Sequence, residues 1–224
     1  MIIVHHLEDS RSQRVLWLLE ELGIAYEVKR YDRDPETGLG PQALYDIHPL
    51  GKSPVITDGD INVAETGAIF EYLVDAYGAE SGLKPAPGTQ ASRDYTYWLH
   101  YAEGSAMTNL LLKLVFSRLP DRAPMLARPL VRGISSTAEK NFIDPRIAEH
   151  AGWWNKSLEA TGHFVGDTLT AADIMMSFPL EAAATRADMA QLGNIKSFVE
   201  RMHARPAYQA ALKRGGPYAY AEAA

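Results

Sequence analysis

The 224-residue chain has no cysteine. It therefore has no disulfide and no thiol of its own for nucleophilic, redox or metal-binding work, which fits a reducing compartment such as the cytosol. No apolar run comes near the about 20 residues that span a bilayer, and Met1-Ile2-Ile3-Val4 gives way at once to His5-His6. Neither a membrane span nor a secretory signal is expected, and the chain reads as cytoplasmic. Concentrated basic charge is missing too: 22 Lys and Arg stand against 28 Asp and Glu, a net −6. The arginines between Arg118 and Arg132 are spread along a segment broken by three prolines and read as a solvated face. Nucleic acid is accordingly not an expected partner, because it needs a dense basic patch. No metal-ligand set is read.

What is present is an ordinary globular composition, 46% apolar and 22% charged, in a chain long enough for two small domains. Ile2-Ile3-Val4 reads as a buried strand ending in His5-His6-Leu7, of which one histidine packs inward and the other is solvated. After the loop Glu8-Asp9-Ser10-Arg11-Ser12, Val15, Leu18, Leu19 and Leu22 recur at helical spacing, and Gly23 stands where a C-terminal cap belongs. Tyr26 to Tyr31 alternates as a strand. Pro41 to Tyr45 suits one short helix. Val55-Ile56-Thr57 and Ile61-Asn62-Val63 flank Asp58-Gly59-Asp60, a hairpin signal, and Thr66 to Tyr77 closes the unit as a helix stopped by Gly78. The order βαβ, α, ββα is a small mixed sheet with helices on both faces, the thioredoxin topology.

A thioredoxin fold with redox activity keeps a cysteine at the start of its first helix, where the dipole favours a thiolate. Here that place holds Ser10-Arg11-Ser12, so disulfide exchange is excluded and any thiol must arrive on a ligand. His48-Pro49-Leu50-Gly51-Lys52-Ser53-Pro54, followed by Glu65-Thr66 at a helix start, reads as a site for a small zwitterionic peptide. An X-Pro bond in the cis form turns the preceding residue's backbone toward such a peptide, and a helix N-terminus suits a carboxylate.

Residues 79–89, with Gly82, Pro85, Pro87 and Gly88, read as a linker between a first domain, 1–78, and an all-helical second domain, 90–224. Ala91 to Leu119 suits one long helix stopped by Pro120, and Asp144-Pro145 restarts a helical pattern that Gly162 ends. Thr170 to Asp173 has the form of a capping box ahead of the apolar Ile174-Met175-Met176-Ser177-Phe178, the expected centre of this domain. Asp173 is read as structural. The tail from Gly215, with Tyr218 and Tyr220, is either frayed or folded over the site.

Ser10 to Val15, Pro49 to Pro54, Ala64-Glu65-Thr66 and Thr170 to Asp173 together resemble the cytosolic glutathione transferase family, in its fungal and bacterial branch. The resemblance covers nearly the whole chain. It implies an α/β thioredoxin-like domain plus an all-α domain, glutathione as co-substrate, and conjugation of its thiolate to an apolar electrophile. The alternatives are a non-catalytic glutathione-binding protein and a glutathione-dependent peroxidase or isomerase. Carried over, Pro54 is the cis proline and Ser53 pairs its backbone with the cysteinyl unit. Glu65 accepts from the γ-glutamyl amine, Thr66 holds its carboxylate, and Lys52 meets the glycyl carboxylate. Ser10, four residues before Arg14, is favoured to activate the thiol, with Ser12 and Arg11 as alternatives; Ser12 is also read as a helix N-cap. Leu7, Glu8, Asp9, Tyr101, Ser105 and Met107 would line the electrophile pocket. Glu103 would reach the second subunit of a homodimer.

Overall fold

The computed structural model describes residues 1–187, 189 and 191–221. Strand β1 (Ile2–Leu7) pairs in parallel with β2 (Tyr26–Tyr31) and antiparallel with β3 (Val55–Asp58), which pairs with β4 (Ile61–Ala64), giving the order β2-β1-β3-β4. The parallel register runs from Ile2↔Tyr26 to Leu7↔Tyr31, so β1 extends through both histidines. As the inner strand it buries both, and neither is solvated.

Helix α1 (Ser12–Leu22) ends as its sequence predicts. Gly23 takes φ 67°, and the N–H groups of Gly23 and Ile24 reach back to the carbonyls of Glu20 and Leu19, the arrangement that satisfies a helix's last acceptors. With α2 (Thr66–Tyr77) it covers one sheet face. Among the described residues the other face carries only the short 3₁₀ turn Gln42–Leu44, where Leu44 packs on Leu7 and Tyr31.

Beyond residue 89 the protein is helical. Helix α3 (Gln90–Tyr101) passes through a π turn, Ala102–Ala106, into α4 (Met107–Arg122). The expected stop at Pro120 does not occur; Pro120 is absorbed in the last turn, and the chain leaves the helix at Ala123, the residue ahead of Pro124, where proline disfavours helical backbone. Helix α5 (Arg128–Ala138) likewise runs through a π turn, Glu139–Ile143, into α6 (Asp144–Ser157). Asp144-Pro145 thus continues a helix instead of restarting one, with the wider turn directly ahead of the residue that has no N–H to donate. The helix ends at Ser157, ahead of Gly162.

Helix α7 (Ala171–Ala184) is buried almost throughout and packs against α1, α3 and α8 (Gly193–His203). Its start is held by Asp173, whose carboxylate accepts from Thr170 N–H at 2.8 Å, Thr170 Oγ1 at 2.9 Å and Phe164 N–H at 2.8 Å. After α9 (Pro206–Gly215) the tail folds back over the molecule. Tyr218 is buried and donates to Glu181 at 2.7 Å, and Ala219 N–H donates to Asp9 Oδ1 at 2.8 Å.

Candidate active site

The loop between β1 and α1 is tied down from several sides. Asp9 sits at φ 45°, unusual for a residue with a side chain. Its carbonyl accepts from Arg33 at 3.3 Å, and Glu8 accepts from the Arg33 N–H at 2.7 Å. Ser10, 7% exposed, accepts the Ser12 N–H at 3.2 Å. Ser10 therefore supplies the polar support at the helix start that was expected of Ser12. The Ser12 hydroxyl lies fully buried, 2.7 Å from Ser10 Oγ and 2.8 Å from His6 Nδ1, with the Leu7 carbonyl at 3.3 Å. Hydroxyl, hydroxyl and imidazole thus form one chain leading from the surface of the cleft into the core.

Burial, reinforced by the charge of Arg30 across the sheet, lowers the His6 pKa to about 4; the Gly215 carbonyl and Asp9 oppose this only in part. His5 is lowered as well, by burial and then by Lys29, and its ring is held between Tyr31 Oη at 2.8 Å and Thr57 Oγ1 at 3.0 Å. A histidine kept neutral in the fold gives stability that is present above its unfolded pKa of about 6.5 and is lost as pH falls through the folded value. For His6 the drop from 6.5 to about 4 corresponds to roughly 3 kcal/mol. Urea midpoints of the wild type should therefore fall between pH 6.5 and 4 more steeply than those of His6→Asn; parallel curves would refute this.

A first lobe of the cleft, about 240 Å³, is walled by Lys52, Ser53, Pro54, Glu65 and Thr66, with Arg11 and His48 at its sides. The five positions selected from the sequence meet there. The Ser53–Pro54 bond is cis. The β1–β3 ladder stops at His5↔Val55, and the Ser53 side chain takes over beyond it: Oγ donates to the His5 carbonyl at 2.7 Å and accepts from Leu7 N–H at 3.2 Å. Glu65 is exposed at φ 71°, and its carbonyl receives the Ile69 N–H as α2 begins. Such backbone strain in a residue with a side chain tends to collect where a ligand is held. Thr66 is buried at the N-terminus of α2.

A second lobe, about 230 Å³, shares Arg11, Lys52 and Ser53 with the first and extends to Ser10. Of the six residues named for an electrophile pocket, Leu7, Asp9 and Met107 stand in this wall and Glu8, Tyr101 and Ser105 do not. Glu8 is turned to Arg33. Tyr101 points into the helical core, against His150 and Trp154 Nε1 (3.1 Å), where burial pushes its hydroxyl up to about 12. Met107, Leu111 and Leu114 form the i, i+4, i+7 row that faces the lobe, and Ser105 lies off it. Arg33 and Arg186, absent from the sequence reading, also stand in the wall, with Phe178 from the apolar helix and Tyr220 from the tail, which is folded over the site and not frayed there. Glu103, expected to reach a second subunit, is engaged within the chain. It lies 3.3 Å from Arg11 and pairs with the buried Arg14. Burial alone would raise its carboxyl, but Arg14 and Arg11 hold it below the usual range. A larger cavity of about 470 Å³ between α4 and α6 is walled by Ile147, Ala151 and Leu192; its carboxylate, Asp144, is paired with Lys113 at 2.7 Å.

A thioredoxin-like sheet without cysteine, whose first helix opens on serines and whose cleft is closed by a helical domain, defines a class of protein that takes its thiol from a ligand. The chain belongs to the glutathione S-transferase family. The descriptions "Glutathione S-transferase, N-terminal domain" and "Glutathione S-transferase, C-terminal domain" match residues 1–75 and 131–214. Glutathione S-transferase 3 of Schizosaccharomyces pombe is 34% identical over 96% of this chain and 88% of its own. Glutathione S-transferase 1 of Saccharomyces cerevisiae is 32% identical over 83% and 82%. Among solved structures, a glutathione S-transferase from Actinobacillus pleuropneumoniae is 34% identical, with a TM-score of 0.81 over 96% of this chain and 93% of that one. The transferase activity expected from the sequence is the one these relatives are named for. Among the described residues no helix is long and apolar enough to cross a membrane, and no cluster of three or more His, Cys, Asp or Glu could hold a metal ion.

Proposed function

We propose that the protein binds glutathione in the first lobe, activates its thiol at Ser10, and directs it to an electrophile in the second. Two lobes meeting at Arg11, Lys52 and Ser53, with Ser10 next to Arg11 in the wall of the second, carry this reading. The first lobe suits glutathione by charge. Glu65, its one carboxylate, matches the ammonium; Thr66 at the N-terminus of α2 and the cations Lys52 and Arg11 match the two carboxylates. Bound there, glutathione supplies the sulfur nucleophile. Ser53, anchored by its side chain to β1, offers its backbone to the peptide, and Ser10 holds a hydroxyl at the sulfur. The apolar row of Met107, Leu111 and Leu114 excludes water from the electrophile. The reading carries with it a cytoplasmic homodimer without a metal, and a division at 1–78, 79–89 and 90–224.

Thermal unfolding with millimolar glutathione tests the binding, because a ligand of the native state raises the midpoint. No shift would overturn the proposal. Glu65→Gln is expected to weaken glutathione about tenfold by calorimetry, the usual scale for one charged hydrogen bond. Unchanged affinity would remove Glu65 from the site. Conjugation of a chlorodinitrobenzene then separates a transferase from a protein that only binds glutathione.

A further inference from the structure

The second lobe is more basic than an apolar electrophile requires. Its wall holds Arg11, Arg33, Lys52 and Arg186 against one carboxylate, Asp9, in a chain whose net charge is −6. Asp9 is itself engaged by the Ala219 N–H. Arg11 and Lys52 also border the glutathione lobe, and the two carboxylates of glutathione suffice for them. Arg33 and Arg186 do not border it. Both are half-buried, and among the described residues neither meets a carboxylate. Arg33 is committed to the loop, donating to the carbonyls of Gly38 and Asp9. Arg186 is held by the Leu110 carbonyl at 3.2 Å and by Tyr220 Oη at 2.9 Å. Because Tyr220 accepts from Arg186, its own hydrogen is left for another partner. Guanidinium and phenol therefore converge as two donors at the end of an apolar floor made by Leu111, Leu114 and Phe178, on which the Tyr220 ring packs at 5.2 Å. Behind them the cleft opens into a further cavity of about 380 Å³ bearing Arg118; Lys113 on its wall is already neutralised by Asp144 and Glu139. Among the described residues the partners of Arg186 are a carbonyl and a phenol, both neutral, and a bound anion would add a charged one.

We infer that the electrophile is an amphipathic anion, an apolar reactive body carrying a carboxylate or sulfonate that pairs with Arg186 and the Tyr220 hydroxyl. This rests on the transferase reading and names the substrate class of the same cleft. In a protein of net negative charge, a basic pocket wall also draws such molecules in preference to neutral ones.

The test uses 4-chloro-3-nitrobenzoate and 4-chloro-3-nitrobenzamide, which share ring and leaving group and differ in charge. Rates of conjugation are divided by the uncatalysed rate of each with glutathione. The wild type is expected to prefer the benzoate by about tenfold or more in kcat/KM. Arg186→Gln should bring the ratio near unity, Arg186→Lys should restore part of it, and Tyr220→Phe should lower it by about threefold. Equal handling by the wild type, or a ratio unaltered in both Arg186→Gln and Tyr220→Phe, overturns the inference. If glutathione binds and neither compound turns over, calorimetry of both on the glutathione-loaded protein decides: tighter benzoate binding supports it, equal binding overturns it. Failure of glutathione itself to bind overturns the transferase reading, and this inference with it.

Discussion

Replacing Asp173 with alanine is expected to destabilise the protein by roughly 3–5 kcal/mol, a large part of the about 5–15 kcal/mol that holds a domain together. The carboxylate is fully buried and accepts three hydrogen bonds, from Phe164 N–H, Thr170 N–H and Thr170 Oγ1. Removing it leaves three donors in a dry interior, each costing about 1–3 kcal/mol, and takes away the support at the start of the most buried helix. Asp173→Asn should fall between the two, since one acceptor remains and the new NH₂ faces existing donors. Urea unfolding with an unchanged slope would read the loss as stability alone. A loss below about 1 kcal/mol would show that water or relaxation replaces the bonds.

Most of the first domain was legible because its signals are local. The alternation of Tyr26 to Tyr31, the Asp58-Gly59 hairpin and the Gly23 stop each operate within a few residues, and all three are in place. The histidine pair was misjudged because burial of β1 depends on two other strands that Ile2-Ile3-Val4 does not reveal. The two π turns were missed for a related reason. One added residue shifts the helical phase without breaking the recurrence of apolar positions, so Ala91 to Leu119 reads as unbroken helix. That shift also separated Tyr101 from Met107, which sequence reading had placed in one wall.

The two lobes of the cleft differ in the same way. The first is built from two short segments, Lys52-Ser53-Pro54 and Glu65-Thr66, whose chemistry is visible without a fold. The second gathers Arg33, Leu111, Phe178, Arg186 and Tyr220 from five distant stretches. No spacing rule joins an arginine after α7 to a tyrosine in the tail. Only one hint existed, the aromatic tail itself, whose fold-back is held by Tyr218 on Glu181 and Ala219 on Asp9.

Ser10→Ala is expected to lower kcat/KM for conjugation by about 10- to 100-fold and to raise the apparent pKa of the bound thiol by about 1–2 units, the scale of one hydrogen bond to a charged atom. The reasoning is a matter of hydrogen count. Each serine hydroxyl has one hydrogen, and Ser10, Ser12 and His6 lie in a row with spacings of 2.7 and 2.8 Å. With the His6 hydrogen on Nδ1, His6 donates to Ser12, Ser12 to Ser10 or to the Leu7 carbonyl at 3.3 Å, and Ser10 is free to donate to the cleft. With it on Nε2, where the Gly215 carbonyl accepts it, Ser12 donates to His6, Ser10 donates to Ser12, and Ser10 turns its hydrogen outward only when a thiolate draws it from Ser12. The outward direction stabilises a thiolate without that loss. Ser12→Ala separates the two, because it removes the link while leaving Ser10 in the wall. In the outward case it should cost less than Ser10→Ala, since Ser10 keeps its hydrogen but loses the group that orients it. Full activity in Ser10→Ala would instead assign the thiolate to Arg11, whose guanidinium reaches both lobes and is steadied by Glu103 at 3.3 Å. In that event Glu103→Ala should lower activity where Ser10→Ala does not.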